Sequence, residues 1–373
     1  MHHQPTCGQP RPLLARLPDL VLALATALPW LLFLLLMITL LSAGYARADG
    51  TAAGTGEMAQ TTPVCQGRSL IGELTASHPE RMAEALKQAD AAPNGDALLW
   101  KIEKPGVDPS WLFGTMHVTD PEVTEMPVPA REAFEAASTV VIETIDILDP
   151  VKAQAALMSN PDLTMFTDGT TLISLLSPED AKIVEAELGR RGIPMALVAR
   201  MKPWIITGMV GMPPCEAARK AKGIDILDVN IAKMAGDEGK QVLGLETIGE
   251  QMAALTDLPM EFHLRGLVET IKLADLMPDI LATMSDLYLQ GRVSAIMPVI
   301  QAAGPEGVAT DISGYAAFEE RVITLRNHIM AERAAPILDK GGAFIAVGAM
   351  HLPGEEGLVS LLGQAGYTIS AMR

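Results

Sequence analysis

The chain has 373 residues, enough to bury one large core or two modest ones. Its 28 basic residues against 45 acidic ones give a formal charge of -17, and no basic patch occurs, which excludes reading a nucleic acid through its phosphates. Aromatic residues make up only 4%, so aliphatic residues and methionine must fill the interior; nothing in the spacing of the 21 methionines requires a cofactor box.

Arg11 and Arg16 precede Leu20 to Ala46, a run without a charged side chain that is long enough to span a bilayer with some tilt. The basic residues before it place the N-terminus in the cytoplasm and the rest of the chain across the membrane. Ala46-Arg47-Ala48 is an A-x-A-like cleavage site, so a retained single-pass anchor and a cleaved signal are both open. Residues 1–48 are thus expected to be a cytoplasmic tail plus a signal or transmembrane helix. The expected location is the periplasm or cell envelope, either anchored to the inner membrane or secreted after cleavage. Cys65 and Cys215 are the two cysteines beyond this segment, and they form either one long-range bridge or two buried thiols.

Residues 49–63, rich in Gly, Ala and Thr, read as a linker. Pro79 to Lys87 has helical character, with proline in the first turn. Leu98 to Glu103 alternates like a strand, Pro105-Gly106 turns, and Trp111 to Gly114 returns as its hairpin partner. A helix through Arg131 to Ala137 leads to Thr139-Val140-Val141-Ile142-Glu143, a β-branched run closed by a carboxylate. The connection from Gly114 to Glu143 has the length of a strand, helix, strand unit. Residues 150–222 read as a mostly helical insertion, in which Ser177-Pro178 starts one helix and Gly192 stops it.

Asp225-Ile226-Leu227-Asp228 and Gln241 to Glu246 resemble short strand ends carrying carboxylates. Residues 259–290 are helical in pattern. Tyr315 to Ile337 reads as a long helix with Arg326 and Arg333 on one face. Ala343 to Val347 is strand-like, Leu358 to Leu362 amphipathic, and Tyr367 to Ser370 a closing strand. The expected fold class is α/β: a mixed sheet with flanking helices over residues 64–373, compatible with two related halves that each end in the same motif, behind a single N-terminal transmembrane or signal helix.

That motif is G-x-x-H, present as Gly114-Thr115-Met116-His117 and as Gly348-Ala349-Met350-His351, each behind a strand-like run. Both histidines then stand just beyond strand ends, where open α/β sheets place ligands. Glu143, also at a strand end, is costly to bury unless paired, solvated or bound to a metal. Two imidazoles and a carboxylate suit a divalent ion such as Mn, Co or Zn. There is no H-E-x-x-H helix and no G-x-S-x-G elbow, and nothing around Cys215 marks a nucleophile.

From Leu98 onward the chain resembles the TraB/PrgY/GumN family, whose animal relatives include the Tiki proteins. The resemblance rests on Trp111 to His117 with Asp120-Pro121, on Glu143, Lys202-Pro203-Trp204, Gly223-Ile224-Asp225, Leu245-Glu246-Thr247 and Arg326-Asn327, and on Gly348 to Gly354. Pro63-Val64-Cys65-Gln66-Gly67 is similar to a branch of exported bacterial members. The resemblance implies a metal-dependent protease acting on a peptide or protein. It carries over His117 and His351 as metal ligands, Glu143 as third ligand or base, and Arg326 as the group that offsets developing negative charge. Gly114, Gly348, Asp225, Glu246 and Asn327 are reserve or supporting residues. Two other readings stand beside this one: a non-catalytic haem-, metal- or peptide-binding protein of the envelope, and a structural envelope protein.

Overall fold

β-Branched and aliphatic runs bounded by Pro and Gly form six strands in the computed structural model, which describes residues 65–304 and 318–372. They are β1 (Leu99–Glu103), β2 (Ser110–Thr115), β3 (Thr139–Ile142), β4 (Gln241–Gly244), β5 (Ala343–Gly348) and β6 (Thr368–Met372), paired in the order β4-β3-β5-β2-β1-β6. β4, β3, β5 and β2 run parallel, while β1 is antiparallel to both β2 and β6. The expected hairpin is β1–β2, with Trp100 opposite Leu112.

A parallel sheet covered on both faces needs apolar residues at successive positions. Val140, Val141 and Ile142 are accordingly all fully buried, as are Phe344, Ala346 and Val347. Alternation sends them to opposite layers. On one face Val140, Ile142, Phe113 and Phe344 pack against α2 (Val128–Ala136) and α6 (Leu227–Asp237), through Phe134, Leu227 and Ile231. On the other, Leu112, Val141, Ile345 and Val347 meet α10 (Leu325–Leu338) and α11 (Leu358–Gln364), through Met330, Leu338, Leu358 and Leu362. A third apolar cluster joins α1 (Pro79–Ala91) to α9 (Met277–Leu289) and the segment around Val293.

Between β3 and β4 the chain is helical. It includes α3 (Pro178–Arg190), capped by the Ser177 hydroxyl and followed by Gly192 with φ of 69°, then α4 (Pro203–Gly211) and α5 (Pro214–Ala221). After β4 come α7 (Ile248–Thr256) and α8 (Met260–Lys272), which packs on α4. Asp225 to Asp228 is not a strand end: Leu227 and Asp228 open α6, because the burial of Leu227, Ile231 and Ala235 follows a helical period.

The single N-terminal transmembrane or signal helix of the expected fold class lies outside the described residues, as do residues 1–64 as a whole. Among the described residues no helix is long and apolar enough to cross a membrane. The fold class is corrected to a mixed α/β sheet with flanking helices, and the membrane anchor, the membrane as a partner and the periplasmic or cell-envelope location are withdrawn with that helix.

Of the two alternatives for the cysteines, the structure has the bridge. Cys65 and Cys215 are joined, with Cα atoms 5.3 Å apart and 150 positions between them in sequence. Closing so long a loop restricts the unfolded chain, so Cys215→Ser is expected to lower stability by about 2–5 kcal/mol. Denaturant unfolding with and without a reductant checks this: the reductant should erase the difference between wild type and variant.

Candidate functional site

Because β5 lies between β2 and β3, the ends of these three parallel strands stand side by side, with Thr115 opposite Gly348 and Ile142 opposite Ala346. His117, Glu143 and His351 follow directly. Their common centre is Gly348: a Cβ there would stand 3.1 Å from Glu143 Oε1, 3.6 Å from His351 Cδ2 and 4.0 Å from His117 Cε1. Gly114 has another role, since its Cβ would meet Leu352 Cδ1 at 2.7 Å and Ala349 Cα at 3.0 Å. One glycine leaves room for the site, and the other lets the loop after β5 pack against β2.

Glu143 is buried and both its oxygens are engaged. Oε1 accepts the Gly348 N–H at 2.6 Å, and Oε2 accepts from Arg326 Nη2 at 2.8 Å and Gln251 Nε2 at 3.0 Å. Burial opposes its ionisation, but the neighbouring His351 and His117 imidazoles, the Arg326 guanidinium and the Gly348 N–H outweigh it and lower its pKa. Arg326, on α10, also donates to both oxygens of buried Glu246, at 3.1 Å and 2.7 Å. The guanidinium is thereby fixed between two carboxylates that follow β3 and β4.

The two histidines differ in character. The His351 side chain is 5% exposed, and its Nδ1 lies 2.6 Å from Asn327 Oδ1. Asn327 spends its amide N–H on the Glu356 carbonyl, so its oxygen faces the ring and assigns the proton to Nδ1. Burial, reinforced by Arg326 and His117 against the pull of Glu143, holds this imidazole neutral, with its pKa pushed down to about 4. Nε2 therefore presents a lone pair, 3.8 Å from Glu143 Oε1.

The His117 side chain is 52% exposed, with Nε2 3.4 Å from Asp228 Oδ1. What burial it has lowers its pKa, but the adjacent Asp228 and the charge of Glu143 outweigh that and raise it; solvent on the open side screens both effects. Its loop is pinned from behind. Glu216 accepts from the N–H and hydroxyl of Thr119 at 2.9 Å and 2.8 Å, and Glu216 lies on α5 beside the bridged Cys215.

Of the residues singled out in the sequence, His117, Glu143, Arg326, His351, Gly348, Glu246 and Asn327 fall in this cluster, and Gly114 packs beneath it. Asp225 does not: it pairs with Lys233 on the exposed side of α6. The sequence reading passed over Asp228, which accepts from the Thr115 hydroxyl at 2.8 Å, and Gln251 on α7. Asp228 had a faint signal in being the second acid after Gly223, three positions beyond Asp225. Gln251 had none beyond its place one turn after Glu246-Thr247.

In donor chemistry the cluster fits a divalent ion: a neutral buried imidazole with its lone pair turned inward, a second imidazole, and the carboxylates of Glu143 and Asp228. The donors stand in two pairs, and among the described residues no group of three or more His, Cys, Asp or Glu is already drawn together around one point.

The mixed sheet with flanking helices makes this an α/β protein. The TraB/PrgY/gumN family matches residues 98–371, and the chain belongs to it. It is similar to two zebrafish (Danio rerio) proteins, Metalloprotease TIKI2, 23% identical over 322 residues, and Metalloprotease TIKI1, 23% identical over 320. Each comparison covers 74% of this chain, against 60% of TIKI2 and 63% of TIKI1, so the chain spans about 60% of the length of these curated relatives. No solved structure matches the chain.

Gly348→Ala is expected to shift the imidazole NMR resonances of both histidines with little change in melting temperature, whereas Gly114→Ala should cost about 1–3 kcal/mol by overpacking. A second check concerns α7, whose capping box pairs Thr247 with Glu250, itself bound to Arg333. The Arg333 hydrogen bond, above the smaller opposing effect of burial, holds the Glu250 pKa down to about 2 from an ordinary 4.5. Its contribution is complete above about pH 4.5 and fades as pH falls towards 2. Glu250→Gln should therefore flatten the pH dependence of stability in that window.

Proposed function

We propose that this chain is a metal-dependent hydrolase that cleaves amide bonds in a peptide or protein. The observation that carries the reading is the convergence of His117, Glu143 and His351 around Gly348, with Arg326 locked beside them. Membership in a family with relatives named as metalloproteases supports it.

His351, His117 and a site carboxylate would hold the ion. An ion bound there supplies Lewis-acid polarisation of a carbonyl and easier ionisation of water. His351 needs no proton change to serve as a donor, since its tautomer is set by Asn327; His117 has to give up its proton. Arg326, held rigidly by Glu246, stands ready to offset the negative charge that grows on a carbonyl oxygen during attack. Glu143 is ionised and lies beside both imidazoles, placed to accept a proton from the attacking water and return it to the leaving amine. Ile145 and Leu148, after Glu143 in the chain, and Leu325 and Ile329, on either side of Arg326, are large apolar side chains left exposed, which suits contact with a polypeptide.

The test is metal content of the purified full chain after equilibration with Mn, Co or Zn, followed by a peptide-hydrolysis screen. Wild type should hold about one ion and cleave. His117→Ala and His351→Ala should lose the ion, and Glu143→Gln and Arg326→Lys, at some cost in stability, should reduce hydrolysis per folded molecule at least about 100-fold. Metal retained without turnover on any peptide would favour a binding protein instead. No ion in wild type would overturn the reading.

A further inference from the structure

We infer that Asp228 is a direct ligand of the same ion, paired with His117, an assignment that rests on the metal-dependent reading above. The carboxylates of the site differ in what they lack. Glu143 accepts from Gly348, Arg326 and Gln251, and Glu246 is gripped by Arg326 through both oxygens. Asp228 is held by one oxygen only. Its Oδ1 accepts from the Thr115 hydroxyl and faces His117, while its Oδ2 is buried and carries no hydrogen bond. The side chain is 3% exposed and so shielded from bulk solvent.

A buried carboxylate oxygen without a donor is rare because its lost hydration goes uncompensated, and a cation is one of the few partners that compensates it. The other buried side-chain atom of this kind among the described residues, Ser69 Oγ, is an uncharged hydroxyl. His117 Nε2 lies 3.4 Å from Asp228 Oδ1, and Oδ2, on the same carboxyl carbon, is the oxygen left for the ion.

The local structure holds the carboxylate at that place. Asp228 sits in the first turn of α6, where the helix dipole favours an anion, and the Thr115 hydroxyl ties it to the end of the strand that leads to His117. Tyr288, packed nearby, does not compete, since its hydroxyl donates to the Gly114 carbonyl at 2.9 Å.

The experiment uses the full chain, stripped with a chelator and titrated with Co²⁺ and Zn²⁺, following affinity by calorimetry and coordination by the visible Co²⁺ spectrum. Wild type, Asp228→Asn, Asp225→Asn, Thr115→Val, His117→Ala and His351→Ala are compared, with circular dichroism as the check of folding. Asp228→Asn should weaken binding at least about 10- to 100-fold and change the Co²⁺ spectrum, while Asp225→Asn should behave as wild type. Thr115→Val, which removes only the hydroxyl holding Oδ1, should weaken binding in the same direction and keeps the test decisive if Asp228→Asn fails to fold. Wild-type affinity in Asp228→Asn, or weaker binding with an unchanged spectrum, overturns ligation by Asp228; if the histidine variants still lose the ion, the metal-dependent reading survives. No Co²⁺ or Zn²⁺ bound by wild type overturns both.

Discussion

Arg326 is the residue on which the geometry of the cluster depends. Its guanidinium joins three separate pieces of the chain: the segment after β3 through Glu143, the segment after β4 through Glu246, and α10, which carries it. Three charges brought together under the rim of a sheet are costly to desolvate, and the cost is offset only while every partner is in place. Losing one leaves an uncompensated buried charge, worth about 3–5 kcal/mol in comparable networks. The helix that presents Arg326 is irregular just before it. Glu319–Thr324 winds as a π-helix, and Arg326 Nη1 donates back to the Val322 carbonyl within that turn, at 3.1 Å. Wider turns of this kind concentrate at functional sites because they re-aim a side chain that a regular helix would direct elsewhere.

The two G-x-x-H copies are nearly indistinguishable on paper and are physically unlike. After β5, His351 is enclosed, neutral and locked by Asn327. After β2, His117 is half open to solvent and stands beside an acid. An enclosed neutral donor next to an open, charge-paired one resembles what acid–base sites achieve with two carboxylates in unlike surroundings: the same side chain in two protonation states, set by environment. The acid beside His117 is supplied by α6, on the opposite layer from the α10 asparagine that fixes His351. Each histidine is thus oriented from a different face of the sheet.

Much of this was legible in the sequence because it depends on local pattern. The β-branched run before Glu143, the hairpin across Pro105-Gly106 and the apolar run before Gly348 each announced a strand, and the strand ends announced which residues would cluster. The parts that were not legible are set by long-range packing. That Asp228 rather than Asp225 faces the cluster depends on where α6 starts, and a short acid-rich stretch with two apolar residues reads equally well as a strand end. That Arg326 would meet Glu143 and Glu246 rather than a neighbour on its own helix such as Glu320 is a tertiary choice. The bond between Cys65 and Cys215 likewise could not be told from two thiols until the fold brought their Cα atoms together.

The central position of β5 has a consequence for how the protein is made. β2 and β3 never pair with each other; each pairs with β5, which reaches the Glu143 carboxylate through Gly348 from 205 positions further along the chain. During synthesis the β1–β2 hairpin and the β3–β4 pair can form as two separate fragments, each with an unpaired edge beside the gap that β5 later fills. Exposed edges of this kind invite pairing with other chains, and non-local insertion of a strand is slow compared with local hairpin formation. The nascent polypeptide is therefore most vulnerable to aggregation in the interval between emergence of β4 and emergence of β5 from the ribosome.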